Sequence, residues 1–324
     1  MKVFISRIIP EVGINLIKDN GFDLEIWQED RPMTQDELIY HSKKSDALLC
    51  MLSDKIDKKF LEECKHLKVI SQYAVGFDNI DIKTATELKI PIGNTPDVLS
   101  ESTADLAFTL MLMVSRKALH CHKKILNSQW TYFKPTEDLG IELKNKTLGI
   151  FGLGRIGFEM AKRCKDAYNM NIIYNNRSRN IDLEEKLNAE YVSFDNLLKQ
   201  SDILSVHSSL NESTKEIFNL SAFQKMKKDS IFINTARGGI HNEKDLIKAL
   251  EMNLLWGVGL DVTNPEPMNY DNPLLFMSNV TILPHIGSAT KESRDGMARL
   301  STENIILALK GQRVCNIVNP EIYN

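Results

Sequence analysis

The segment that most limits what this chain can fold into is Gly152-Leu153-Gly154-Arg155-Ile156-Gly157. It directly follows an apolar run, Leu148-Gly149-Ile150-Phe151, and precedes a helix-period pattern over residues 156–167. As a bare string G-x-G-x-x-G is a weak signal, and its plain reading is a glycine-rich turn without a ligand. Between a strand and a helix it becomes specific, because each glycine then has a task. Gly152 permits the tight turn, Gly154 lets the backbone approach a pyrophosphate, and Gly157 lets the helix pack closely on the strand. The first helical turn, with Arg155 and Ile156, offers N–H groups and the positive end of the helix dipole to phosphate. A Rossmann-type dinucleotide site is the expectation.

The next strand, Ile172-Ile173-Tyr174, ends in Asn175-Asn176-Arg177-Ser178-Arg179. NAD binders carry an acidic residue about 20 positions after the fingerprint, where it accepts hydrogen bonds from the adenosine ribose. This stretch holds no carboxylate. A carboxylate there would repel a 2′-phosphate, whereas Arg177 and Arg179 can pair with one bidentately and Ser178 can add a hydroxyl. With Asn176, these residues are the expected readers of the adenosine end. NADP(H) is expected ahead of NAD(H), which stays possible. The bland alternative is a solvated loop carrying two arginines.

Around these motifs the pattern alternates. Strand-like runs at 3–9, 24–27, 47–52 and 69–73 are separated by helical patterns at 11–20, 34–43 and 58–65, with Thr34 as an N-cap. One long helix is expected over 102–126, with Ser102 and Asp105 as its capping box. After an irregular segment at 130–140, strands are expected at 147–151, 171–175, 203–207, 231–234, 257–261 and 280–283, and a last helix at 291–310. The βαβα rhythm implies parallel sheets with helices on their faces. The fold class is α/β with two Rossmann-like or flavodoxin-like domains. A cofactor domain, 100–287, is inserted into a substrate domain, 1–99 plus 288–324.

Composition narrows the partners. The 324 residues are 43% hydrophobic and 26% charged, enough for two ordinary cores. A net charge of −3 gives no basic excess for nucleic acid. Cys50, Cys64, Cys121, Cys164 and Cys315 are odd in number and form no C-x-x-C pair, which fits reduced thiols in a cytoplasmic protein. His120-Cys121-His122 is no expected metal site, since adjacent helical residues point apart. The start, MKVFISRIIP, has Arg7 inside its apolar run and reads as no targeting segment. The apolar stretch 106–114 is far shorter than the ~20 residues of a bilayer span, so no membrane partner is expected.

Three polar residues follow strand-like runs in the second half. Arg237 lies in Asn234-Thr235-Ala236-Arg237-Gly238-Gly239, Glu266 in Asp261-Val262-Thr263-Asn264-Pro265-Glu266-Pro267, and His285 in Leu283-Pro284-His285-Ile286-Gly287-Ser288. In open parallel sheets, ligands bind at the carboxyl ends of strands. These segments, with Tyr73-Ala74-Val75-Gly76-Phe77-Asp78-Asn79-Ile80-Asp81, Thr103-Ala104-Asp105 and the glycine fingerprint, occur in an order that resembles the D-2-hydroxyacid dehydrogenase family over essentially the whole chain. The GLGRIG turn followed by Asn-Arg-Ser-Arg is most similar to its glyoxylate/hydroxypyruvate reductase branch.

The resemblance implies a reductase of small 2-keto acids. Arg237 would hold the substrate carboxylate, a task suited to a planar fork of donors. His285 would donate a proton to the keto oxygen, with Glu266 hydrogen-bonded to it and favouring its charged form. The backbone amides of Val75 and Gly76, with Ser288, would complete the substrate site. Thr103, His207, Thr235, Ala236, Asp261, His285 and Gly287 would line the cofactor, with Asp261 near the nicotinamide amide. The family pattern has proline where this chain has Ser209 and an apolar residue where it has His241; His241 is expected as a bland exposed histidine. The resemblance also places the segment of Trp130 and Phe133 in a homodimer contact, plain packing being the other reading. A 2-ketogluconate reductase, a phosphoglycerate dehydrogenase and a dinucleotide-sensing, corepressor-like protein remain as alternatives.

Overall fold

The computed structural model describes residues 1–324. The chain divides into two compact units, Met1–Leu99 with Ala289–Asn324, and Ser100–Ser288.

The first unit begins β1 (Lys2–Ile5), α1 (Glu11–Asp19), β2 (Asp23–Ile26), α2 (Gln35–Ser42), β3 (Ala47–Cys50). It continues α3 (Lys58–Glu63), β4 (Val69–Gln72), α4 (Ile82–Glu87) and β5 (Ile92–Gly93). All strand pairings are parallel, in the order β2-β1-β3-β4-β5. This is the flavodoxin-like winding. Strands β3 and β4 are buried along their whole length, so they read as continuous runs, as strands covered on both faces do. Thr34 caps α2 in a reciprocal box: its hydroxyl accepts from the Glu37 amide, and the Glu37 carboxylate accepts from the Thr34 amide at 2.8 Å. The first strand is shorter than the apolar run 3–9. It stops at Ile5 because Ser6 turns its hydroxyl onto the buried carboxylate of Asp54, and Ile8 is left exposed.

The far end of the chain completes this unit. Helix α12 (Lys291–Leu309) packs on α1, β3 and β4. Beyond it the buried Asn319 closes the edge at β5. Its Oδ1 accepts from the Ile92 amide at 2.9 Å, and its Nδ2 donates to the Ile90 carbonyl at 3.0 Å.

The second unit opens with α5 (Ser100–Ser115), α6 (Ala118–Leu126), β6 (Thr147–Phe151), α7 (Arg155–Tyr168) and β7 (Asn171–Asn175). Then come α8 (Ile181–Leu187), β8 (Glu190–Tyr191), α9 (Phe194–Gln200), β9 (Ile203–Val206) and α10 (Leu220–Lys225). It ends with β10 (Ile231–Asn234), α11 (Glu243–Glu251), β11 (Gly257–Leu260) and β12 (Val280–Ile282). The seven strands are all parallel in the order β12-β11-β10-β9-β6-β7-β8. The order reverses between β6 and β9, which is where doubly wound sheets open a crevice. Alternation feeds two cores: Ile231 and Ile233 join Leu110, Met111 and Ile150 on one face, while Phe232 joins Phe218 and Phe223 on the other.

Two expectations are corrected here. The single helix over 102–126 is two helices, broken at Lys117, which adopts a left-handed conformation with φ 50°. After Val114 the apolar face ends, α6 buries nothing, and the Lys117 ammonium sits 4.8 Å from the Trp256 ring centroid. Ser102 and Asp105 form no capping box either, because α5 starts at Ser100 and Asp105 instead accepts from Arg163 Nε of α7.

Replacing Asn319 by alanine strands a buried N–H and a buried carbonyl at β5, so the variant is expected to lose roughly 2–4 kcal/mol of unfolding free energy. Urea unfolding of the variant measures it; a loss below about 1 kcal/mol would contradict the tail's sealing role.

Candidate active site

The turn after β6 is braced from the neighbouring strand. The Gly152 amide donates to the Asn175 carbonyl at 3.0 Å. Asn176 takes the Leu153 amide on Oδ1 at 2.6 Å and returns Nδ2 to the Leu153 carbonyl at 3.2 Å. Gly152 has φ +102°, and a Cβ there would stand 2.6 Å from the Ser208 nitrogen, so no larger residue fits. A Cβ on Gly157 would lie 2.5 Å from the Gly152 oxygen, whereas the space above Gly154 is open, with nothing within 4 Å. No side chain caps α7, and its first-turn amides have no intrahelical acceptor. The hydroxyls of Ser208, after β9, and Thr235, after β10, are buried and lack hydrogen-bond partners. Open space over a glycine, an uncapped helix and two orphaned donors fit a pyrophosphate-bearing cofactor. Ser208 escaped the sequence reading, although its place at a strand end was the available signal.

At the end of β7, Arg177 and Ser178 are exposed and Asn176 is half-buried. Arg179 behaves differently. It forms a bidentate ion pair with Glu184 of α8, and Glu184 also accepts from the Tyr174 hydroxyl at 2.6 Å. The stretch 175–179 holds no carboxylate, but the fold brings one back to it. Asn176, Ser178, Arg179 and Asp182 border a cleft of about 330 Å³.

The loop after β10 is built around Asn234, which is fully buried. Its Oδ1 accepts from the Ala236 amide at 2.9 Å, so its Nδ2 is the group that donates to the Arg237 carbonyl at 2.9 Å and to His241 Nδ1 at 3.0 Å. His241 is therefore not an exposed bystander. It is 1% exposed, and burial pulls its imidazole down to about 4. With Nδ1 accepting, the proton sits on Nε2, which has no partner. Arg237 is half-buried, with Nη1 2.7 Å from the Ala236 carbonyl. Gly238 permits the next contact: a Cβ there would fall 1.9 Å from the Thr263 carbonyl. The loop of Arg237 thus lies directly on the loop that carries Glu266.

Glu266 pairs with Nδ1 of His285, the carboxylate exposed and the imidazole half-buried. His285 is in the left-handed region with φ 54°, and its amide donates to the Asp261 carbonyl at 2.9 Å. The Asp261 carboxylate, 1% exposed, accepts from the amides of Ile286 at 2.8 Å and Gly287 at 2.7 Å. Burial raises the Asp261 carboxyl above its ordinary range against the lowering by those two amides. Thr103 is buried beside Gly287, and Ser288 is half-buried at the end of this unit. His207 is half-buried with Nε2 2.8 Å from Ser205 Oγ, and loss of hydration draws it down to about 3. Val75 and Gly76 belong to the other unit, after β4, where Asn94 Nδ2 holds the Val75 carbonyl at 2.9 Å. No group of three His, Cys, Asp or Glu side chains is arranged to hold a metal ion.

Residues 108–287 match the NAD binding domain of the D-isomer specific 2-hydroxyacid dehydrogenases. The glyoxylate reductase of Thermococcus litoralis is 43% identical over 325 aligned positions, 99% of this chain and 97% of that protein. This chain belongs to the D-isomer specific 2-hydroxyacid dehydrogenase family. Its fold matches a glyoxylate reductase from Paecilomyes thermophila, with TM-score 0.87, 32% identity and 99% of each chain covered. It also matches an NADPH-dependent glyoxylate/hydroxypyruvate reductase of Sinorhizobium meliloti solved with NADP and malonate, with TM-score 0.83, 25% identity, and 98% and 96% of the two chains covered. As a 2-hydroxyacid dehydrogenase the chain is an oxidoreductase that uses a nicotinamide dinucleotide, and its pyrophosphate-fitting turn lies inside the matched domain.

Two outcomes follow. Gly154→Ala places its Cβ in open space, so stability is expected to change by about 1 kcal/mol or less. Dinucleotide Kd, read by calorimetry, is expected to weaken on the order of tenfold, and unchanged affinity would contradict the fit. Buried neutral His241 resists protonation in the folded chain, while the unfolded chain takes the proton below about pH 6.5. Its contribution is therefore lost as pH falls from about 6.5 to about 4 and is constant below that. Between pH 7.5 and 4.5, wild type is expected to lose about 2–3 kcal/mol more in urea unfolding than His241→Gln, and equal losses would contradict it.

Proposed function

We propose that this chain reduces a small 2-keto acid of the glyoxylate or hydroxypyruvate type to the D-2-hydroxy acid, with NADPH preferred over NADH. The observation that carries the reading is the Glu266–His285 pair, standing after β12 next to the loop of Arg237. The names of the three relatives, all glyoxylate or glyoxylate/hydroxypyruvate reductases, favour it over the sensor, 2-ketogluconate and phosphoglycerate readings. The exposed Arg177 and Ser178 support the NADPH preference, as does the NADP carried by the Sinorhizobium meliloti enzyme.

In this reading Arg237 takes the substrate carboxylate on its guanidinium fork, with the Ser288 hydroxyl of the same unit as a further donor. When bound at the turn after β6, a reduced nicotinamide dinucleotide would supply the hydride that the keto carbon takes up. His285 gives the proton that the keto oxygen needs, and it does so from Nε2, because Nδ1 is committed to Glu266. Glu266 thereby fixes the ring's orientation. Asp261 sets the backbone on which His285 stands, and Thr103, His207, Thr235, Ala236 and Gly287 border the nicotinamide end. The unit Ser100–Ser288 is the cofactor domain, and the other unit carries the substrate loops. Trp130, Tyr132 and Phe133 are exposed in this single chain, which supports a homodimer that covers them. No helix is long and apolar enough to cross a membrane.

The test follows NADPH and NADH oxidation across a panel of 2-keto acids. Turnover of glyoxylate or hydroxypyruvate is expected with kcat/KM higher for NADPH; silence across the panel would sink the reading. His285→Ala is expected to lower kcat by about 10²–10⁴-fold while leaving cofactor Kd near that of wild type, and near-normal turnover would remove its acid role.

A further inference from the structure

We propose that Glu184 sets how strongly this chain distinguishes a 2′-phosphorylated adenosine from a plain one, by holding Arg179 in an ion pair that a 2′-phosphate must disturb. The inference rests on the reading that residues 176–179 face the adenosine end of the dinucleotide.

The acid is the fixed partner of the pair. Tyr174 is fully buried, and its hydroxyl donates to Glu184 Oε2 at 2.6 Å while accepting from the Asn180 amide at 3.1 Å. Glu184 is thus fastened from below. Arg179 is the exposed partner, with 57% of its side chain accessible. Its Nε lies 3.2 Å from Glu184 Oε2 and its Nη2 pairs with Oε1, so the Nε–Nη2 edge of the fork is already used. The Tyr191 ring, its centroid 5.9 Å from the guanidinium carbon, adds a third hold.

This geometry changes the local electrostatics. Hydrogen bonds from Arg179 and Tyr174 hold the Glu184 carboxyl below its ordinary range, so it is charged at neutral pH. Asp182 borders the same cleft as Arg179, and together the two carboxylates offset Arg177 and Arg179. A 2′-phosphate carries about −1.5 to −2 charges, so it meets the Glu184 carboxylate as a like charge. Arg177, exposed and in no ion pair, meets the phosphate without giving up a partner. The pair of basic residues in the sequence therefore acts as one free cation and one restrained one. An exposed Arg–carboxylate pair contributes little to stability, so its effect is expected in recognition.

Calorimetry on the full chain with 2′,5′-ADP and 5′-AMP tests this without catalysis. Glu184→Gln keeps an acceptor for Tyr174 and removes the charge. It is expected to tighten 2′,5′-ADP about tenfold and to leave 5′-AMP within about twofold. The double variant Glu184→Gln/Arg179→Ala is expected to lose that gain. Unchanged or weaker 2′,5′-ADP binding in Glu184→Gln overturns the inference, as does a gain that survives the loss of Arg179. Arg177→Ala separates the two levels. If it weakens 2′,5′-ADP while Glu184→Gln has no effect, the inference alone fails. If Arg177→Ala changes neither ligand, the adenosine reading itself fails.

Discussion

Every strand pairing in both sheets is parallel, and the rest of the architecture follows from that. A parallel sheet sends each strand's carboxyl end to the same edge. In the seven-stranded sheet this edge gathers the turn after β6, the arginine loop after β7, Ser208 after β9, Arg237 after β10, Asp261 after β11 and His285 after β12. Residues more than a hundred positions apart become neighbours without any of them being close in sequence. Parallel strands also require covered faces, which is why the far end of the chain returns as α12 to cover the first sheet.

Two close approaches shape that edge. The bare backbone of Gly238 lets the loop of Arg237 rest on Thr263, three residues before Glu266. Asp261 then binds the amides of Ile286 and Gly287 and, through its carbonyl, that of His285. A left-handed histidine is uncommon and costs of order 1–2 kcal/mol of backbone energy; here three hydrogen bonds from one residue determine it. The contrast between histidines is informative. His241 is sealed and neutral under Asn234, whereas His285 stays partly exposed and pairs with a carboxylate.

What could be read from the sequence was what local chemistry dictates. The glycine turn was legible because the positive φ of Gly152 and the approach of Gly157 to the Gly152 oxygen both fall within six residues. Strands such as β6, β7 and β10 were legible from continuous apolar runs. Arg237, Glu266 and His285 were nameable only through family order, since the Glu266–His285 pair spans 19 positions and no periodicity links them. His241 was misjudged because nothing adjacent in sequence marks it as buried, while a short 3₁₀ turn tucks it under Asn234. Glu184 was invisible because its approach to Arg179 depends on how α8 packs. The break at Lys117 carries neither glycine nor proline, so nothing in the sequence announces it.

The proposed reduction delivers hydride to one face of the keto carbon and a proton to its oxygen. Reduction of hydroxypyruvate with NADPH deuterated at the transferred position, followed by chiral analysis of the product, tests it most directly. D-glycerate with deuterium on C2 is expected. A product without deuterium there, or the L-isomer, would contradict it.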